Sequence, residues 1–432
     1  MRRGIRHWGM LLTTAFLLTV GNTAHAVIGV PDDVPAATLL FPFFKVNPSP
    51  TSTTRQDTIV TITNTANPPA AFSAARVPSN TGHTWVHITV WNVRSQHVYD
   101  FSVNLTPHDV FSCSLLDLLV NPNSLQNPCG VFQAPTGVVD QLRVGDILAG
   151  YVTADVVSQP TSDFPGQPGY PFLDWNILVG HLYLVDLPAG SATGFNAVSI
   201  ESEVFPNATT FAASNSGLGH PAVAFDENVQ IGFYLNRCIE EQGSSAACAP
   251  AGSYGNRERI DGFSGDRVQT FNTAGYPPAT TFGDSPLSLI VRYFSVPSLG
   301  GRTEVWLWKD RVTSGAASGV NLAVYDEDEN AHSITFSLPD EVNFAPTADI
   351  ITPGAPGGWF RIKFVCGQFG YCGYSPLSPA TWTTSGGGLS TPIQSVAYSL
   401  QFANSQNASL RWDAAFPSHR QYTNYLGGIT AE

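Results

Sequence analysis

The sequence predicts an all-β chain: two antiparallel β-sandwich domains, Ig-like or jelly-roll-like, related by internal duplication. Three observations carry this. Apolar residues alternate with polar ones at period two over many short stretches. Pro, Gly and Asn clusters separate those stretches. And the pattern HITVWNVRSQHVYDFSVNLTPHDVF (residues 87–111) is written again as VNLAVYDEDENAHSITFSLPDEVNF (residues 320–344). Alternation at period two means strands with one buried face, because a helix would scatter the same residues around its surface.

Taken in chain order, Val86, Ile88 and Val90 face one way, with His87, Thr89 and Trp91 opposite. A turn, NVRSQ, leads into Phe101, Val103 and Leu105. The second copy places Val320, Leu322 and Val324 on one face, then DEDENA, then Ile334, Phe336 and Leu338. Upstream, LLFPFFKV (39–46) matches LIVRYFSV (289–296), and Val60 and Ile62 align with Val305 and Leu307. Downstream, AGYVTADVV (149–157) matches GGWFRIKFV (357–365), and VGHLYL (179–184) parallels VAYSLQF (396–402). The sandwiches are expected at 27–205 and 285–432. Between them, 206–284 reads as a Gly-rich connector with a disulfide loop and one short strand near Val229–Leu235. SLLDLLVN (114–121) has room for a turn or two of helix.

The amino end gives an address. Arg2, Arg3 and Arg6 precede an apolar run from Met10 to Val20 and then Ala24-His25-Ala26. That order reads as a signal peptide, residues 1–26, and the run is too short to span a bilayer, which needs about 20 apolar residues. The expected location is secreted, periplasmic or cell-surface, with no membrane span in the mature chain. Without those 26 residues, 17 basic side chains face 33 acidic ones among 406 residues, a formal charge of −16. Nucleic acid is a poor partner for such a surface, since binding it rests on Lys and Arg neutralising phosphates. The six cysteines fall as near neighbours, Cys113/Cys129, Cys238/Cys248 and Cys366/Cys372. Sequence alone leaves fifteen pairings open, but each pair brackets a short loop, and an exported chain favours local disulfides.

LLFPFFKVN, TIVTITNT and VYDFSVNLTPHDVF together resemble a family of exported bacterial proteins of unassigned function. The carriers are Phe41-Pro42-Phe43, Ile62-Thr63-Asn64-Thr65, and Asp100 through Val110. VWLWKD and YDEDE give a weaker echo in the second half. The resemblance implies export and a β-sandwich, and brings no catalytic residues.

Chemistry-bearing motifs are few. G-x-S-x-G is absent, Gly262-Phe263-Ser264-Gly265 having the wrong spacing, and there is no HExxH. His83 and His87 on one strand would lie about 13 Å apart, too far for one metal, and read as solvent-facing. Asp326, Asp328 and Asn330 alternate like the opening of a calcium loop, but Ala331 and Ser337 stand where such a loop needs Gly and Glu, so a charged hairpin turn is the competing reading. Trp306 and Trp308 share a strand face and offer either a sugar-stacking platform or a buried domain contact. Asp174, Glu201 and Glu203 are acids beside apolar strands. The expected function is a structural or adhesive surface protein without catalysis, partnered by other surface proteins or glycans and holding no cofactor. The alternatives are a carbohydrate-binding module, calcium-assisted, and an extracellular hydrolase whose site the sequence hides.

Overall fold

The computed structural model describes residues 35–49, 55–66, 83–120, 129, 132, 134, 137–163, 165, 167, 170–173, 175–187, 190–200, 203–204, 225–226, 287–296, 298, 300–309, 319–328, 330–346, 356–364, 395–404, 411–417 and 419–422. Residues 1–26, most of the connector, and Cys238, Cys248, Cys366 and Cys372 lie outside that set.

The described residues are mostly strand. The first half gives β1 (Thr38–Val46), β2 (Gln56–Asn64), β3 (Thr84–Asn92), β4 (His97–Leu105), β5 (Val110–Ser114), β6 (Arg143–Val144), β7 (Ile147–Val157), β8 (Leu178–Asp186), β9 (Ser191–Asn196) and β10 (Val198–Ile200). Then come β11 (Glu203–Val204) and β12 (Phe225–Asp226), paired with each other. The second half gives β13 (Leu287–Phe294), β14 (Arg302–Lys309), β15 (Gly319–Asp326), β16 (Ala331–Ser337), β17 (Val342–Pro346), β18 (Gly357–Phe364), β19 (Ser395–Asn404), β20 (Arg411–Pro417) and β21 (His419–Tyr422).

Among the described residues, four antiparallel sheets carry the other strands. Sheet I runs β5-β2-β8-β9 and sheet II runs β10-β1-β7-β3-β4, with β6 beside β7. Sheet III runs β17-β14-β19-β20 and sheet IV runs β16-β15-β18-β13-β21. Sheets I and II face each other across one core containing Leu39, Phe41, Phe44, Val60, Ile62 and Leu182. The opposite face of sheet II meets sheet III in a second core, where Leu40, Phe43, Trp91 and Tyr151 join Trp306, Trp308 and Tyr398. Sheet III in turn touches sheet IV, where the Ser399 hydroxyl donates to the Arg292 carbonyl at 2.6 Å.

This layering corrects one expectation. The second face of β3 is not solvent-facing: His87, Thr89 and Trp91 are all 0% exposed. Sheet II is an inner layer, and β7 is buried from Leu148 to Val157. His83 does lie exposed. In β1, Pro42 sits inside a central strand, where its missing N–H would ordinarily break the ladder. It is accommodated because the register with β7 shifts between Phe41 and Phe44.

The predicted helix forms as one five-residue turn, Leu115–Leu119. Ser114 caps it, its hydroxyl accepting from Asp117 N at 3.1 Å. The buried Asp57 carboxylate accepts from that hydroxyl at 2.7 Å and from Leu116 N at 2.9 Å. Cys113 and Cys129 come together with Cα atoms 5.3 Å apart, within reach of a disulfide. Among the described residues, no helix is long and apolar enough to cross a membrane.

Candidate functional site

The junction of sheets II and III holds the two tryptophans. Because β14 alternates, Trp306 and Trp308 point together away from Val305 and Leu307, into the junction. Trp306 stacks on Phe43 with centroids 4.8 Å apart and on Phe344 at 5.0 Å. Trp308 meets Tyr151 edge-on at 6.3 Å. The two residues are 0% and 1% exposed, so neither ring offers a face to a sugar. At the rim, Lys45 Nζ donates to both Glu304 oxygens at 2.9 and 2.8 Å, with both side chains about one-seventh exposed. Val93 O accepts from Glu341 N and Val342 N at 2.9 and 3.0 Å, and Arg94 lies 4.0 Å from Asp340. These contacts join the β3–β4 turn to the start of β17.

The acidic residues form the β15–β16 turn. Asp326 Oδ1 accepts from Asp328 N at 3.0 Å and Asn330 N at 2.8 Å, and Oδ2 accepts from Asn330 Nδ2 at 2.9 Å. Its oxygens therefore close the turn rather than converge with those of its neighbours. The β3–β4 turn is built the same way. Asn92 Oδ1 accepts from Arg94 N at 2.9 Å and Gln96 N at 3.0 Å, and its amide donates to Gln96 Oε1 at 2.9 Å. Among the described residues, no group of three or more His, Cys, Asp or Glu could hold a metal ion. Asp174 and Glu201 fall outside the described set, and Glu203 lies on β11.

A polar cluster that sequence reasoning missed lies on the same face of sheet II, beyond the aromatic patch. His87 stands opposite Ser102 on β4 and Asp155 on β7. His87 Nδ1 lies 3.0 Å from Ser102 Oγ, and Nε2 lies 3.8 Å from Asp100 Oδ1. Asp100 Oδ2 is 2.8 Å from His97 Nε2. Asp155 accepts from Thr38 Oγ1 at 2.5 Å and from Tyr170 Oη at 3.2 Å. Burial pushes His87 down to about 4, against the opposing pull of Asp100, because desolvation penalises the charged ring. The residue types are those of a nucleophile, a base and an orienting acid. Their placement is not: the imidazole is enclosed, and Ser102 Oγ is also bonded to Thr161 N and O at 3.3 Å. The hairpin register was the signal that could have found this cluster, since pairing Ile88 with Phe101 puts His87 against Ser102.

A shallow groove at the junction's edge is lined by both halves, with Lys45, Gln56, Asp186 and Thr193 on one side and Leu400 and Phe402 on the other. Comparison of the chain with protein-family models, with curated proteins and with solved structures gives no match.

Proposed function

We propose that the chain is an exported scaffold or adhesive protein without catalytic activity, built from two copies of one nine-strand sandwich unit at 27–205 and 285–432. Strand order supports the two-copy reading. Pairing β1–β5 with β13–β17 and β7–β10 with β18–β21 turns sheet I into sheet III and sheet II into sheet IV, with every neighbour kept. Local geometry supports it too. Thr58 Oγ1 accepts from Lys45 N and donates to Lys45 O, at 3.0 and 2.7 Å. Thr303 Oγ1 makes the same pair of bonds to Phe294, both at 2.8 Å. A Cβ on Gly150 would stand 2.0 Å from Trp91 O, and one on Gly358 would stand 2.1 Å from Tyr325 O.

The observation that carries the scaffold reading is the employment of the chemistry-bearing groups. Trp306 and Trp308 hold sheet II to sheet III, and the Asp326 oxygens hold their own turn. A protein whose most distinctive side chains are spent on joining layers is suited to mechanical or adhesive duty. Export rests on the pattern of residues 1–26. Fractionation of the native cells with an antibody to the chain tests the proposal. It predicts recovery with the envelope or in large extracellular assemblies; recovery from the cytosol would contradict it. Labelling of Ser102 by a fluorophosphonate would instead establish the hydrolase alternative.

A further inference from the structure

We infer that a second copy of this chain docks through the outer face of its sheet I onto the outer face of sheet IV, so that chains stack head to tail. The inference rests on the two-copy reading above. Within one chain, the face of sheet II carrying the stacked pair Trp91–Tyr151, with centroids 5.7 Å apart, is covered by sheet III. Register places Tyr325 and Trp359 at the corresponding points of sheet IV: Trp91 pairs with Tyr151 across β3–β7 as Tyr325 pairs with Trp359 across β15–β18. That second pair also stacks, at 4.1 Å, and is half-buried rather than enclosed. The surface that covers the first pair is sheet III, whose counterpart is sheet I. Repeating the internal contact therefore brings sheet I of one chain to sheet IV of the next. A contact between unlike faces leaves one face of each kind free at the ends of a pair, and so extends into a ring or a filament.

The outer face of sheet I is fitted to be covered. Its positions on β2 and β8 are Asp57, Ile59, Thr61, Thr63, Val179, His181, Tyr183 and Val185, with no Lys or Arg among them and with the single acid, Asp57, buried and bonded to Ser114 and Leu116. Tyr183 is 39% exposed there, and Val110 on the neighbouring β5 is 56% exposed. Both side chains leave the sheet on this face, on either side of β2, opposite Ile59 and Thr63.

The rim contacts of the internal junction also transfer in complementary form. Lys45 and Glu304 correspond to Phe294 and Ile59, so an ion pair becomes an apolar pair. The correspondence follows from the threonine clamps and from the register of Ile59 with Tyr183 and Glu304 with Leu400. Arg94 and Asp340 correspond to Asp328 and His108, so a guanidinium facing a carboxylate becomes a carboxylate facing an imidazole. His108 and Asp328 are both exposed. With Thr61 and Thr63 standing where sheet III has Trp306 and Trp308, the contact between chains is the weaker of the two and reversible.

Sedimentation velocity on the mature chain over a concentration series tests this, with two variants: Tyr183→Glu to spoil sheet I and Trp359→Glu to spoil sheet IV. Wild type is expected to grow beyond a dimer with concentration. Each variant alone is expected to associate at least about tenfold more weakly. An equimolar mixture of the two is expected to give a one-to-one dimer, because each retains the face the other lacks. Val110→Glu and Asp328→Lys, both at exposed positions, repeat the design should either first variant fail to fold. A wild type that stays monomeric, or a Tyr183→Glu chain that dimerises by itself, overturns the inference. Neither result touches the two-copy reading, which falls separately if an experimental structure shows different strand orders in the two halves.

Discussion

Sheets II and IV have like strand orders, yet they live in different surroundings. In sheet II the Trp91–Tyr151 pair is sealed under sheet III, with both residues 0% exposed. In sheet IV the Tyr325–Trp359 pair stacks more closely and remains half open. The same aromatic device is thus interior in one place and surface in the other. What differs is the layer on top, so an identical local pattern acquires its role from what packs on it.

The largest effect expected from this contrast is at the junction. Trp308→Ala removes a wholly buried ring and should cost about 3–5 kcal/mol. Trp359→Ala removes a half-buried ring and should cost about 1–2 kcal/mol. Urea denaturation followed by circular dichroism gives both; equal losses would erase the distinction between covered and open faces.

A second contrast concerns pH. His87 is held neutral in the covered face, with its pKa lowered from 6.5 to about 4. The unfolded chain then binds the extra proton, so this contribution is complete above pH 6.5 and is lost as pH falls toward 4. Its size is about 3 kcal/mol. Urea midpoints at pH 7.0, 5.5 and 4.5 should fall steeply for wild type and less for His87→Gln. Parallel slopes would show that His87 does not carry the dependence.

Smaller effects sharpen the likeness of the halves. Gly150→Ala and Gly358→Ala each force a methyl toward a carbonyl oxygen about 2 Å away, and each should cost about 1–3 kcal/mol. Asn92→Ala and Asp326→Ala each remove the acceptor that closes a turn, and each should cost about 1 kcal/mol. A marked imbalance within either pair would mean that the matched positions are not equivalent in energy.

Much of this architecture was legible in the chain. The strands carrying Val60, Val86, Val305 and Val320 form where alternation places them, because that signal is local. One offset escaped: LLFPFFKV and LIVRYFSV run in step only as far as Phe41 and Val291. The bulge at Pro42 inserts a residue, so Lys45, not Phe44, takes the place of Phe294. The burial of His87 and Trp91 also escaped, since period two states which residues share a face and not what covers it. Trp306 and Trp308 were ambiguous for the same reason. The His87–Ser102 contact was within reach of hairpin register, but it joins two strands and so leaves no motif along the sequence.

An experimental structure of the chain, with residues 38–200 superposed on 287–422, tests the account most directly. The account predicts that the Thr58 and Thr303 clamps, the Gly150 and Gly358 contacts and the Asn92 and Asp326 turns coincide, with Trp308 enclosed against Tyr151. Different strand orders in the two halves, or Trp308 open to solvent, would contradict it.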